Sequence, residues 1–210
     1  MKDYLLKKLH HNNGPQLPAK EIWHDLPVIT DFTYPWRQEV APPTTFRAFY
    51  TDDHLFFRFT AEDMLIEQKI ETDMFRPVVD SDRVEIFFRV DAKMQPYYCL
   101  EMDARGRVLD YVAHYHRKFD YDWEWPVEQL WIEAELTQNA YQVTGSISLA
   151  SLRQLGIWHS QKIEVGLYRA QYLFDANGQQ REVKWISWCQ PDSPHPDFHI
   201  PSSFGLFRYD

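Results

Sequence analysis

From Tyr141 to Ser148 apolar and polar residues alternate without a break. Tyr141, Val143, Gly145 and Ile147 fall on one side, Gln142, Thr144, Ser146 and Ser148 on the other. Successive side chains of an extended chain point to opposite faces, so this period of two specifies a strand with one dry and one wet face. The strand pairs naturally with residues 130–136 across Gln138-Asn139, and the dry side of that sheet needs a second layer to cover it.

Further runs fit the same plan. Residues 45–61 read as two aromatic runs around the turn formers Thr51, Asp52, Asp53 and His54, a hairpin. Residues 83–90 put Val84, Ile86 and Phe88 on one face and Glu85, Phe87 and Arg89 on the other. Residues 97–102 and 107–116 flank the turn Asp103-Ala104-Arg105-Gly106, and residues 162–174 and 183–189 flank Asp175-Ala176-Asn177-Gly178. Helical spacing is clear only where Ser148 caps a segment through Leu149, Leu152 and Leu155 that stops at Gly156. The expectation is an all-β chain: a two-layer antiparallel, jelly-roll-like β-sandwich with one short helix near 149–155. It forms a single domain over residues 1–210, of which 1–20 are an N-terminal arm.

Composition narrows the partners. With Lys plus Arg at 22 and Asp plus Glu at 31, the 210-residue chain carries a formal net charge of −9. Nucleic acid and anionic membranes both demand a basic face, so neither is an expected partner. Aromatic residues make up 16 % of the chain, far more than a disordered segment carries. The two cysteines, Cys99 and Cys189, allow one bridge at most. No run approaches the ~20 apolar residues of a membrane span. Residues 1–10 are too charged, with too short an apolar centre, for a signal peptide. As written the chain reads as cytoplasmic, or as periplasmic or extracellular if a leader has been removed.

Two residue classes could carry chemistry. Trp123, Trp125, Phe75 and Phe198 fall in expected loops, where a ring can stack on the apolar face of a sugar, although any single one more often just covers an end of a sandwich. Carboxylates recur at Asp80, Asp82, Glu85, Glu101, Asp103 and Asp110, most of them turn acids balanced by Arg83, Arg89, Arg105 and Arg107; Glu85 differs because it interrupts an apolar strand. Such groups serve as acid and base of a glycosidase, as oxygen ligands for calcium, or as acceptors for sugar hydroxyls. His114 and His116 would share a strand face, but no third metal ligand stands at suitable spacing. Gly-x-Ser-x-Gly, a Gly-rich phosphate loop and a Cys with a His partner are all missing.

Three stretches together resemble carbohydrate-binding module family 9, particularly its stand-alone relatives. They are Asp82-Arg83-Val84-Glu85-Ile86-Phe87-Phe88, then Tyr97-Tyr98-Cys99-Leu100-Glu101-Met102-Asp103-Ala104-Arg105-Gly106, and the ending Trp185-Ile186-Ser187-Trp188 with Pro194-His195-Pro196-Asp197-Phe198-His199-Ile200-Pro201-Ser202-Ser203-Phe204-Gly205. The resemblance covers about residues 20–208 and implies a β-sandwich, often with structural calcium, that binds a mono- or oligosaccharide in a slot between two aromatic rings. By the same resemblance, Glu85 matches the family's sugar-contacting glutamate and Phe198 stands where its second stacking tryptophan would. Val79 occupies the place of the first, leaving Phe75 or Trp123 to supply that wall. Glu101 sits where better-known members have an arginine, and Arg169 lies on the strand that gives them an amide contact.

The leading expectation is non-catalytic carbohydrate binding by Phe198, Phe75, Trp123, Glu85, Glu101 and Arg169. A glycoside hydrolase or related sugar-processing enzyme using Glu85, Glu101 or Asp103 is the alternative. A haem-binding sandwich using Met102 with His114 or His116 is the third reading. Calcium would be structural, with Asp63, Asp80 and Asp82 as the candidate ligands.

Overall fold

The computed structural model describes residues 1–10, 14–66, 68, 76–159, 161–175, 177 and 180–209. In chain order the strands are β1 (Asp3–Leu5), β2 (Lys7–Lys8), β3 (Thr44–Tyr50), β4 (His54–Glu62), β5 (Arg83–Arg89), β6 (Tyr97–Asp103), β7 (Val108–His114), β8 (Lys118–Asp120), β9 (Leu130–Leu136), β10 (Ala140–Ser148), β11 (Lys162–Phe174), β12 (Gln180–Ser187) and β13 (Gly205–Arg208). Helical structure among the described residues is confined to α1 (Arg76–Val79), α2 (Leu149–Gln154) and single 3-10 turns at Lys20–Trp23 and Pro201–Ser203.

These strands make two sheets, ordered β2-β3-β4-β10-β9 and β1-β13-β11-β5-β6-β7-β8, with β12 paired to the far half of β11. The expected hairpins and the two-layer sandwich are present. Ser148 caps α2 by accepting from the Ser151 amide at 3.0 Å, and the chain leaves the helix through Gly156 at φ +73°, a conformation that favours glycine. Residues 1–20 are more than an arm. β1 lies parallel to β13 and β2 parallel to β3, so the N-terminus adds one strand to each sheet and ties them together.

Between the sheets lies the main core, where Val84, Ile86 and Phe88 of β5 meet Phe57 and Phe59 of β4 and Tyr141, Val143 and Ile147 of β10. A second apolar cluster covers the outer face of the larger sheet: Phe87, Tyr97, Cys99, Tyr111, Tyr168, Phe198 and Phe204. The centre of the larger sheet is therefore dry on both sides, and every residue of β5 and β6 is buried. Cys99 lies in the outer cluster and Cys189 in the main core, both as free thiols.

Strand parity moves one expected site residue, Arg169, into the core. Tyr168 pairs with Glu85 and Arg169 with Val84, so Arg169 shares the inward face of Val84 and not the outer face of Glu85. There its guanidinium donates to Asp63 Oδ2 and the Glu62 carbonyl, both at 2.8 Å, and to Thr44 Oγ1 at 3.1 Å, linking the two sheets. Trp123 packs on Tyr98 and Trp125 at the edge of the same core, with centroids 5.1 and 5.7 Å away.

The haem and calcium sets do not assemble. Met102 is buried between the sheets beside Val108, whereas His114, six residues further along β7 and so roughly 20 Å away, is exposed. Asp63 is already taken by Arg169 and by Gln171 Nε2 at 2.8 Å, while Asp82 accepts from the Tyr172 amide at 2.8 Å. Among the described residues no group of three or more acidic, His or Cys side chains is placed to hold a metal ion.

The Arg169–Asp63 pair gives a direct test of the inter-sheet link. With side-chain exposures of 0 % and 6 %, removing the carboxylate strands a buried cation. Asp63→Ala should lower the unfolding free energy by about 3–5 kcal/mol in denaturant titration; a change below about 1 kcal/mol would show that the link is dispensable.

Candidate functional site

On the outer face of the larger sheet, β5 and β6 set two carboxylates side by side, because Glu85 and Glu101 are directly paired in register. Like charges opposite one another weaken a sheet unless something lies between them. Arg83, two residues before Glu85 and therefore on the same face, fills that role. Its Nε is 3.0 Å from Glu85 Oε1 and 2.7 Å from Glu101 Oε2. The Tyr111 hydroxyl donates to Glu101 Oε1 at 2.9 Å, and Arg83 itself donates to the Val79 carbonyl at 2.6 Å. Arg83, Glu85 and Glu101 are 4 %, 2 % and 7 % exposed, so the triad is nearly dry.

Burial, reinforced by the neighbouring Glu101 charge, pushes the Glu85 carboxyl up from 4.5 to about 8 against the pull of Arg83. Burial acts on Arg83 in the opposite sense, but Glu101 and Glu85 override it and hold the guanidinium above its usual range. The triad is therefore the floor of a cleft in which charge is balanced internally.

The cleft, about 230 Å³ in volume, is walled mainly by aromatic rings. Trp36 and Trp185 stand 5.6 and 5.7 Å from Phe198, and the Arg83 guanidinium lies 5.6 Å from the Trp185 ring. Phe119 and Tyr121 form a second group around Tyr111, with centroids 5.5 and 5.0 Å away. At the mouth, Asp197 bridges His116 Nε2 at 2.9 Å and Arg117 at 3.0 Å. His199 closes the wall behind it: burial first, then Arg117, brings its imidazole down to about 3, leaving it neutral and bonded to the Tyr97 hydroxyl at 3.0 Å.

Phe198 lines this cleft, but one face of its ring is stacked on Tyr168 at 4.2 Å and 12°, and the residue is only 6 % exposed. The flat surfaces more open to a ligand belong to the part-buried Trp36 and Trp185. Tyr168 can lie under Phe198 because residue 166 is glycine; a Cβ there would sit 2.0 Å from the Tyr168 hydroxyl oxygen. That hydroxyl donates to Ser203 Oγ at 2.8 Å and anchors the C-terminal loop over the sheet.

Of the expected site residues, the structure brings Glu85, Glu101 and Phe198 together, buries Arg169 between the sheets and leaves the part-buried Trp123 against the edge of the main core. Phe75 lies outside the described residues. Asp103 ends β6 opposite Arg83, and its carboxylate is spent on the following turn: it accepts from the Arg105 and Arg107 amides at 2.9 and 3.0 Å and pairs with the Arg107 side chain at 2.6 Å. Sequence reasoning missed Arg83, Trp36 and Trp185. For Arg83 the signal was present, since it shares strand parity with Glu85; for Trp36, on an aperiodic segment, there was none.

No curated protein matches the chain at significant sequence similarity. Among solved structures, a Bacteroides uniformis protein to which carbohydrate binding is ascribed superposes with a TM-score of 0.78 at 16 % identity, covering 100 % of this chain and 99 % of that one. A carbohydrate-binding module family 9 from Caldicellulosiruptor kristjanssonii in complex with glucose gives a TM-score of 0.61 at 13 % identity, covering 100 % and 96 %. The same module with cellotriose gives 0.61 at 12 % identity, covering 99 % and 93 %. At these identities the likeness is one of fold. The family model described as carbohydrate family 9 binding domain-like matches residues 18–208, almost the whole chain, and on that match the chain belongs to the carbohydrate-binding module family 9-like domains.

Proposed function

We propose that the cleft binds a neutral mono- or short oligosaccharide without cleaving it. The observation that carries this reading is the Glu85–Arg83–Glu101 floor beneath aromatic walls: fixed hydrogen-bonding groups of balanced charge, with Trp36 and Trp185 beside them to cover a sugar's apolar face. Family membership, and the glucose and cellotriose held by the Caldicellulosiruptor module, support the same ligand class. At about 230 Å³ the cleft falls below the ~300 Å³ of pockets for drug-sized ligands, which favours a single ring or a chain end over a long internal segment.

The hydrolase alternative keeps one observation in its favour, because Glu85 and Glu101 face the same side of the sheet. Against it, Arg83 sits between the two carboxyls, in the place a glycosidic bond would have to enter, and Tyr111 holds Glu101 as well. Incubation with a panel of aryl glycosides should release no aryl alcohol above a heat-denatured control; release abolished by Glu101→Gln would reverse the assignment.

Titration calorimetry with glucose, cellotriose and other neutral oligosaccharides should give saturable binding. Trp185→Ala should weaken it about five- to tenfold, the ~1 kcal/mol of one stacked ring. Absence of binding to every neutral saccharide, or an unchanged curve in both Trp185→Ala and Trp36→Ala, would remove the proposal.

The raised Glu85 carboxyl adds a pH signature. A folded-state value above the unfolded one means that the native protein holds the extra proton between about 4.5 and about 8, so stability falls as pH rises through that window. Glu85→Gln should flatten that fall in denaturant titrations at both ends of the window; a slope unchanged by the substitution would assign it to other groups.

A further inference from the structure

The outer face of the smaller sheet carries a second cleft, separate from the first in both sheet and chemistry. Residues pair across it in rows. Arg47 on β3 stands directly opposite Arg58 on β4, which neighbours Thr144 on β10 and, beyond it, Glu133 on β9, outside the lining of the cleft; the next row is Thr45, Thr60, Gln142 and Glu135. The 3-10 turn at Lys20–Trp23 covers the apolar end of this face, where Trp23 meets Phe49 and Phe56, and stops at the arginine row. What remains is a cleft of about 370 Å³ lined by Lys20, Arg47, Arg58, Thr60, Glu135 and Gln142, among others.

Charge in this cleft is not balanced. Lys20 and Glu135 satisfy each other at 3.0 Å, which leaves two guanidinium groups side by side. Among the described residues neither arginine has an ion-pair partner: Arg58 bonds to the neutral Thr144 hydroxyl at 3.0 Å and lies 4.4 Å over the Trp23 ring, and the buried Arg47 Nε has no hydrogen-bond partner. Like charges directly opposed on neighbouring strands destabilise a sheet, and the chain as a whole has nine acidic residues to spare. Burial lowers the Arg58 guanidinium to about 10, with Arg47 pushing the same way against the pull of Glu135, as expected of a cation short of counter-charge.

We propose that Arg47 and Arg58 form a second ligand site, specific for an oxyanion group (carboxylate, sulfate or phosphate) on a small ligand, with Thr60 and Gln142 beside it as neutral hydrogen-bonding groups. Two forked guanidiniums present parallel N–H donors matched to such a group, and its charge supplies what the cleft lacks. The site is independent of the neutral-sugar cleft, so either can fail alone.

Calorimetry and thermal melts at constant ionic strength, with sodium sulfate, inorganic phosphate and glucuronate as probes and chloride and glucose as controls, test it. At least one oxyanion should bind saturably and raise the melting temperature beyond chloride. Binding confined to glucuronate would identify a carboxylated sugar as the ligand; binding of sulfate or phosphate would identify a free or ester-linked oxyanion. Arg47→Gln should cost tenfold or more in that affinity, leave glucose binding unchanged, and melt no lower than wild type, because it relieves a repulsion. No oxyanion binding beyond chloride, equal binding by Arg47→Gln, or a large drop in its melting temperature, which would make Arg47 structural, each overturns the proposal.

Discussion

Two carboxylates face each other across the middle of the larger sheet, and one guanidinium makes that arrangement tolerable. At an effective dielectric of about 20, like charges some 4 Å apart repel by ~4 kcal/mol, a large share of a domain's net stability. Arg83 and the proton that Glu85 retains offset that cost together, and Arg83 can act there only because its own position is fixed, by the Val79 carbonyl on one side and the Trp185 and Tyr172 rings on the other. The floor of the cleft is thereby organised before any ligand arrives. On the proposed reading, a polyhydroxylated ring would meet donors and acceptors already in place and lose little affinity to ordering them.

The surroundings of the triad are dry because the C-terminal segment covers them. Phe198 and Phe204 lie over the outer face of β5, β6 and β11, held by the Tyr168 hydroxyl and Ser203. Gly166 is the small residue that lets Tyr168 lie flat enough to receive them. Residues from opposite ends of the sequence thus meet at one wall: Trp36 donates its indole N–H to the Ser193 carbonyl at 2.8 Å while touching Phe198. The cleft belongs to the closed sandwich and to no single hairpin within it.

This is why the fold was more legible in the sequence than the site. Period-two runs such as Tyr141 to Ile147 specify strands and their dry faces, and Ser148 with Gly156 brackets the helix, all from local chemistry. Glu85 stood out because a carboxylate amid Val84, Ile86 and Phe87 must have a partner. Arg169 was misplaced because β11 is buried on both faces, so that its hydrophobicity carries no parity signal; only the register that sets Tyr168 against Glu85 decides which side Arg169 takes. Arg83 looked like a charge balancing a turn. In the structure it sets a guanidinium against Glu101, delivered from the neighbouring strand to the same floor.

The two outer faces of the sandwich follow opposite electrostatic rules. On the larger sheet, acids and a base are packed against each other under aromatic cover, and the surface left for a ligand is close to neutral overall. On the smaller sheet, two arginines share a row with Thr144, and the nearest acid of the cleft is spent on Lys20. A neutral polyol gains from the first arrangement, where directional hydrogen bonds and ring contacts dominate, and has little to gain from the second. An anion gains from the second and, in the first, meets a cation already spent on Glu85 and Glu101. If both proposed sites hold, one scaffold with net charge −9 would sort its ligands by charge between its faces, and the sorting would follow from which strand neighbours each arginine was given.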